Sequence, residues 1–174
     1  MNTGRSLLAG LVCAVLAQVA AAQTVDQAQI DEGIAVYKPP IGNCEPCHGF
    51  AGGGALAMDV YTDKGTAPGP PLTTSKMSRE QMIEIIACGR LGNETLPMPQ
   101  YLVAAWTREH PCGGKVAADL PMGEKPPLTS RPLSVREIEA VVAFIQLAYQ
   151  GKSMTFETCQ MYWGTRSLAC GIFK

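Results

Sequence analysis

The chain has 174 residues, 47% of them hydrophobic and 17% charged, with a formal net charge of −1. That length suits one globular domain with one core. The near-neutral balance, without a basic patch or a Lys/Arg run interleaved with aromatics, argues against a nucleic-acid partner.

The N-terminus reads as a secretory signal over residues 1–22. Arg5 supplies a positive start, Leu7 to Val19 is apolar, and Ala20-Ala21-Ala22 offers a small-residue cleavage site before Gln23. The apolar run is too short and too Ala-rich for a transmembrane span, although an uncleaved anchor is the alternative reading. No later segment is apolar enough to give a stable membrane insertion. Cys13 lies inside the run, without the small residue expected just ahead of a lipidated cysteine, so it is expected to leave with the signal. The remaining chain, residues 23–174, is expected in the periplasm, an oxidising compartment.

Asp26 to Tyr37 has Ile30, Ile34 and Tyr37 at helical spacing, with Asp31 and Glu32 on the other side, and Pro39-Pro40 as a stop. Next comes Cys44-Glu45-Pro46-Cys47-His48, a C-x-x-C-H run. Two thiols three positions apart can each add to a vinyl group on one porphyrin edge, and a histidine directly after the second falls under the ring as an iron ligand. This is the attachment signature of one c-type haem. A zinc site would need two more ligands at matched spacing, and the chain has only two histidines. A thioredoxin-like dithiol should end a strand of a βαβ unit, whereas a short helix and a Pro-Pro turn precede Cys44. Export and haem attachment agree, because this haem is attached outside the cytoplasm.

Phe50 to Pro71 is rich in Gly and Pro and reads as a loop wrapped on the cofactor. Ser78 and Gln81 form a capping box that opens a helix, Met82, Ile85 and Ile86 form its buried stripe, and Gly89 stops it. Gln81, Glu84 and Cys88 lie on another stripe, so Cys88 is expected to face sideways or outward. Residues 102–131 form an irregular insertion in which Ala104, Ala105 and Trp106 offer one helical turn. Ser134 and Glu137 open the last strong helix, which runs to about Gln150 with Val135, Ile138, Val142, Ile145 and Tyr149 as its apolar stripe. The tail, 151–174, is expected to lack regular structure and, being aromatic, to pack back on the body.

The chain has seven cysteines. With Cys13, Cys44 and Cys47 assigned, Cys88, Cys112, Cys159 and Cys170 remain, which in an oxidising compartment most often means two disulfides. The favoured pairs are Cys88–Cys112, which would pin the insertion, and Cys159–Cys170, which would close the tail. Free buried thiols are the alternative.

The second axial position separates an electron carrier from an open, ligand-binding haem. Met98 sits in Leu96-Pro97-Met98-Pro99, where flanking prolines lower the entropy lost in holding the sulfur at the iron. Met122, in Leu120-Pro121-Met122-Gly123, His110 and an open site are the alternatives.

These segments together resemble a class I c-type cytochrome, the small periplasmic monohaem type. Gly33 to Tyr37 resembles its N-terminal helix and Cys44 to Gly49 its haem site. Gly69-Pro70-Pro71-Leu72 resembles its Gly-Pro-x-Leu loop, and Met98-Pro99-Gln100-Tyr101 its ligand segment. Leu133 to Ile145 resembles its C-terminal helix. The resemblance covers most of residues 26–150. It implies an all-α cytochrome c fold whose N- and C-terminal helices cross around covalently bound haem, with long irregular loops. It also implies a crossing of Gly33 against Phe144, and a Pro70 carbonyl that accepts from His48 and fixes its tautomer. The implied cofactor contacts are Cys44, Cys47, His48, Pro70, Leu72, Met98 and Tyr101, with His48 and Met98 on iron. The chain departs from the pattern at Pro39-Pro40, in the longer 102–131 insertion, and in the cysteine-bearing tail.

The implied function is a non-enzymatic one-electron carrier, a monomer, between a dehydrogenase and a terminal oxidase or other acceptor. Cytochromes serving quinoprotein alcohol dehydrogenases look similar in their added loops and disulfides. The alternatives are a permanent cytochrome subunit of a periplasmic dehydrogenase, or a haem enzyme or sensor with an open site.

Overall fold

A computed structural model describes residues 26–54, 69–90, 98–122 and 124–174. Residues 1–25, which include the expected signal segment and Cys13, residues 55–68 with Met58, residues 91–97 with Leu96 and Pro97, and Gly123 lie outside the described residues.

Helix α1 spans Gln27–Tyr37, with the Asp26 carboxylate accepting from the Ala28 N–H at its start. The short helix α2 is Glu45–His48. Helix α3 spans Arg79–Cys88 behind the Ser78/Gln81 capping box, and Gly89 ends it. Helix α4 spans Val135–Ala148 behind the Ser134/Glu137 capping box. Helix α5 spans Phe156–Trp163 and is followed by a 3-10 segment, Leu168–Phe173. Among the described residues there is no strand, only isolated bridges such as Arg90–Met98 and Gln100–Leu128. The described architecture is therefore all-α. No helix among the described residues is long and apolar enough to cross a membrane.

The core forms where α1 crosses α4, with α3 packed on α4 as well. Ile30, Val36 and Tyr37 of α1 meet Ile138, Val141, Phe144, Ile145 and Ala148 of α4, all buried. Each large apolar side chain so buried contributes about 1.5–3 kcal/mol, set against the entropy of ordering it. The approach is possible because Gly33 has no side chain. A Cβ there would lie 2.2 Å from the Ala140 carbonyl oxygen and 2.8 Å from the Phe144 Cβ. The expected crossing of Gly33 against Phe144 is present.

Three expectations are corrected. Val135 is 48% exposed, because the first turn of α4 lies at the surface among the Arg131–Glu137 and Arg136–Glu32 ion pairs; the buried stripe begins at Ile138. Cys88 does not face outward: it is buried, since the 102–131 insertion covers that side of α3. The tail is not irregular, because Thr155 and Thr158 cap each other's backbone and start α5.

Both favoured disulfides are present, Cys88–Cys112 and Cys159–Cys170. The second sits in a small satellite core with Phe50 and Ala51, so the tail does pack on the body. Lys38 fastens it further, donating from Nζ to the Tyr162 carbonyl at 2.9 Å and lying 4.5 Å above the Trp163 ring. The insertion is irregular as expected, with a single 3-10 turn at Ala117–Asp119 among its described residues.

Candidate functional site

Helix α2 carries Cys44 at its N-cap, Cys47 and His48. Both cysteines are free and half-buried. Burial, and then the neighbouring Cys47, push the Cys44 thiol up to about 12; burial likewise raises Cys47. Both groups are therefore held as neutral thiols. A redox C-x-x-C needs the opposite shift.

His48 is fixed by the chain that returns at Gly69. The Gly69 N–H donates to the Cys47 carbonyl at 2.9 Å, which sets Pro70 beside the imidazole. The His48 Nδ1 lies 3.0 Å from the Pro70 carbonyl oxygen. A carbonyl only accepts, so Nδ1 carries the proton and Nε2 presents its lone pair. Burial lowers the His48 pKa, and the Pro70 bond partly offsets this by favouring the charged ring. The result is a neutral imidazole with one committed nitrogen and one available to a metal. Gly69 must be glycine for this approach, because a Cβ would lie 2.6 Å from the Cys47 carbonyl oxygen and 2.8 Å from His48 Nδ1.

Three tyrosines hold the backbone around this turn. Tyr37 donates to the Gly49 carbonyl at 2.7 Å, Tyr101 to Gly42 at 2.8 Å and Tyr149 to Phe50 at 2.8 Å. All three are buried, and burial raises their pKa values so that they remain donors. Tyr101, expected as a cofactor contact, thus has its hydroxyl committed to Gly42. It lies close to Cys44 and Cys47, where any thiolate charge would raise it further. Sequence reasoning missed Tyr37 and Tyr149 in this role. Their acceptors lie 12 and 99 residues away, and the only available signal is a buried hydroxyl that must find a partner.

Leu72 is half-buried on the main core, and its N–H donates to the Gly52 carbonyl at 2.7 Å. Met98 is half-buried against the same core, its carbonyl accepting from the Arg90 N–H at 2.9 Å. The rival Met122 is fully exposed at 103%, and His110 is exposed on the insertion. Gln100 is 1% exposed and donates from Nε2 to the Leu102 carbonyl at 2.7 Å, while its Oε1 meets no donor among the described residues. Among the described residues, no three His, Cys, Asp or Glu side chains gather as a metal cluster of their own.

Comparison with known families, with curated proteins and with solved structures finds no match to this chain.

Proposed function

We propose that the chain is a class I c-type cytochrome, exported to the periplasm, that carries one covalent haem and passes single electrons between a dehydrogenase and a further acceptor. The observation that carries this reading is the contact of His48 Nδ1 with the Pro70 carbonyl at 3.0 Å, on the same turn as two free cysteines. Free cysteines, not paired in a disulfide, are what thioether formation with vinyl groups requires, and a histidine with Nε2 free is the form that binds iron.

The residues fit the group by the chemistry of their donors. Cys44 and Cys47 would hold it through thioether bonds, and His48 and Met98 would ligate its iron. Bound there, haem c supplies a one-electron Fe(II)/Fe(III) couple. The chain's own part is to fix the ligands. Pro70 sets the His48 tautomer, and Tyr37, Tyr101 and Tyr149 lock the main chain on either side of α2. A thioether of the Met98 type raises the reduction potential relative to a second imidazole and suits a carrier. The exposure of Met122 and His110 favours Met98 over both.

The test is export of the full chain in a host that matures c-type cytochromes. Covalent haem and a weak far-red band in the ferric protein, the mark of methionine coordination, are expected. Met98→Ala should abolish the band and open the ferrous form to CO. Absence of covalent haem, or rapid CO binding by the unaltered protein, would overturn the carrier reading.

One observation favours a second reading, that of a permanent dehydrogenase subunit. Met161, Leu168 and Ile172 of the tail and Val103 and Met122 of the insertion are exposed. Size-exclusion of the natively expressed protein separates the two: elution at its own mass argues for the free carrier.

A further inference from the structure

We infer that the Trp106 indole and the buried Cys88–Cys112 disulfide are positioning residues for Met98, a clamp that holds residues 98–102 on the last turn of α3. The inference rests on the reading of Met98 as the second iron ligand.

The segment is bonded along both edges. On the α3 side, the Arg90 N–H donates to Met98 at 2.9 Å, Tyr101 to Ile86 and Ala87 at 3.3 Å each, and Leu102 to Ala87 at 3.1 Å. On the other side, the Gln100 N–H donates to Pro127 at 2.8 Å, and its carbonyl accepts from Thr129 at 2.9 Å. Leu133 donates to the Tyr101 carbonyl at 2.8 Å. Residues 98–102 therefore lie between the end of α3 and the insertion, bonded to both.

That join is narrow. A groove of about 420 Å³, lined by Met77, Gln81, Ile85, Arg90, Trp106 and other residues, leaves part of the join open, while Ala105 and Cys112 pack with Ile86, Ala87 and Cys88 in the core beside it. Beyond the main-chain bonds of Tyr101 and Leu102, the join is crossed by the disulfide, the Gly113 N–H bond to the Glu84 carboxylate at 2.7 Å, and the Trp106 Nε1–H bond to the Cys88 carbonyl at 2.9 Å. The last bond satisfies one of the carbonyls a helix leaves unpaired at its C-terminus. Trp106 adopts φ 67, a left-handed conformation that bulky L-residues avoid. Its N–H donates to His110 at 2.9 Å and its carbonyl accepts from Ala117 at 2.8 Å, which keeps the backbone in that bend. The bend aims the indole at the end of α3.

The experiment uses the full, haem-loaded chain and three variants: Trp106→Phe, Cys88→Ala with Cys112→Ala, and, as control, Cys159→Ala with Cys170→Ala. The readouts are the rate of CO binding to the ferrous form, which requires Met98 to leave, and amide exchange at Met98–Leu102. Trp106→Phe keeps an aromatic ring but removes the pyrrole half of the indole and with it the one hydrogen bond, so a rise of about three- to tenfold in both is expected. The Cys88/Cys112 variant should rise at least as much, and the tail control should not change. If the Cys88/Cys112 variant fails to fold, Trp106→Phe decides alone. Unchanged rates in a protein whose unaltered form shows methionine coordination overturn the clamp only, as does an equal rise in the tail control. Rapid CO binding by the unaltered protein overturns the ligand reading and the clamp together.

Discussion

Replacing Gly33 with alanine sets two effects of opposite sign against each other. Alanine favours the helix by about 1 kcal/mol over glycine. Against this, its Cβ would lie 2.2 Å from the Ala140 carbonyl oxygen and 2.8 Å from both the Ala140 carbonyl carbon and the Phe144 Cβ. Two of these three atoms are main chain, so no rotamer change relieves them, and α1 and α4 must part by about 1 Å to regain ordinary contact. A gap of that size forfeits roughly a quarter to a half of the dispersion attraction across the interface. This crossing buries Ile30, Val36 and Tyr37 against Ile138, Val141 and Phe144. Overpacking and partial separation together cost about 3–4 kcal/mol. The net expectation for Gly33→Ala is a loss of about 2–3 kcal/mol, or a melting point lower by about 5–10 °C for a chain of this size. Urea and thermal unfolding measure it. Gly171→Ala, where a Cβ meets nothing within 4 Å, is the matched control and should stay close to the unaltered protein. A Gly33→Ala protein as stable as the original would refute the argument that the crossing is set by that contact.

Two further outcomes follow from the structure. Hydrogen bonds from the Ser134 N–H, then from Arg131 and the Ser134 hydroxyl, depress the Glu137 pKa. Its folded pKa lies below its unfolded one, so its contribution is complete above the unfolded value and is lost as pH falls through the folded value. Glu137→Gln should therefore flatten the acid side of the stability–pH curve, and an unchanged acid slope would count against the cap. For the tail, opening an 11-residue separation by Cys159→Ala with Cys170→Ala should cost about 3 kcal/mol in urea unfolding. An unmoved midpoint would show that the satellite core holds without it.

The helices with strong local signals were legible in the sequence. Ser78-x-x-Gln81 and Ser134-x-x-Glu137 each state a helix start in four residues, and both stand where expected. Helix α5 was not legible for the same reason in reverse. Its cap is Thr155-x-x-Thr158, without Glu or Gln, and only Cys159 of the helix is buried, so no apolar stripe announces it. The burial of Cys88 was misread because a stripe argument assumes one covered face, while α3 is covered by α4 and by the insertion. At the candidate site, Cys44, Cys47 and His48 declare themselves by spacing, and the His48–Pro70 bond stands as the resemblance implied. The three tyrosine anchors were illegible, because a hydroxyl bond between distant segments leaves no local pattern.

The bond between His48 and Pro70 has a consequence for how this chain can change over time. The acceptor is a main-chain oxygen, which every amino acid possesses, so replacing Pro70 does not delete it. The neighbour is different: any side chain at Gly69 would press on the Cys47 carbonyl and the imidazole at once. The address of the histidine proton is thus stored next to the residue that makes the contact. Mutational scanning should find position 70 permissive and position 69 closed, a vulnerability that inspection of the interacting atoms alone would assign to the wrong codon.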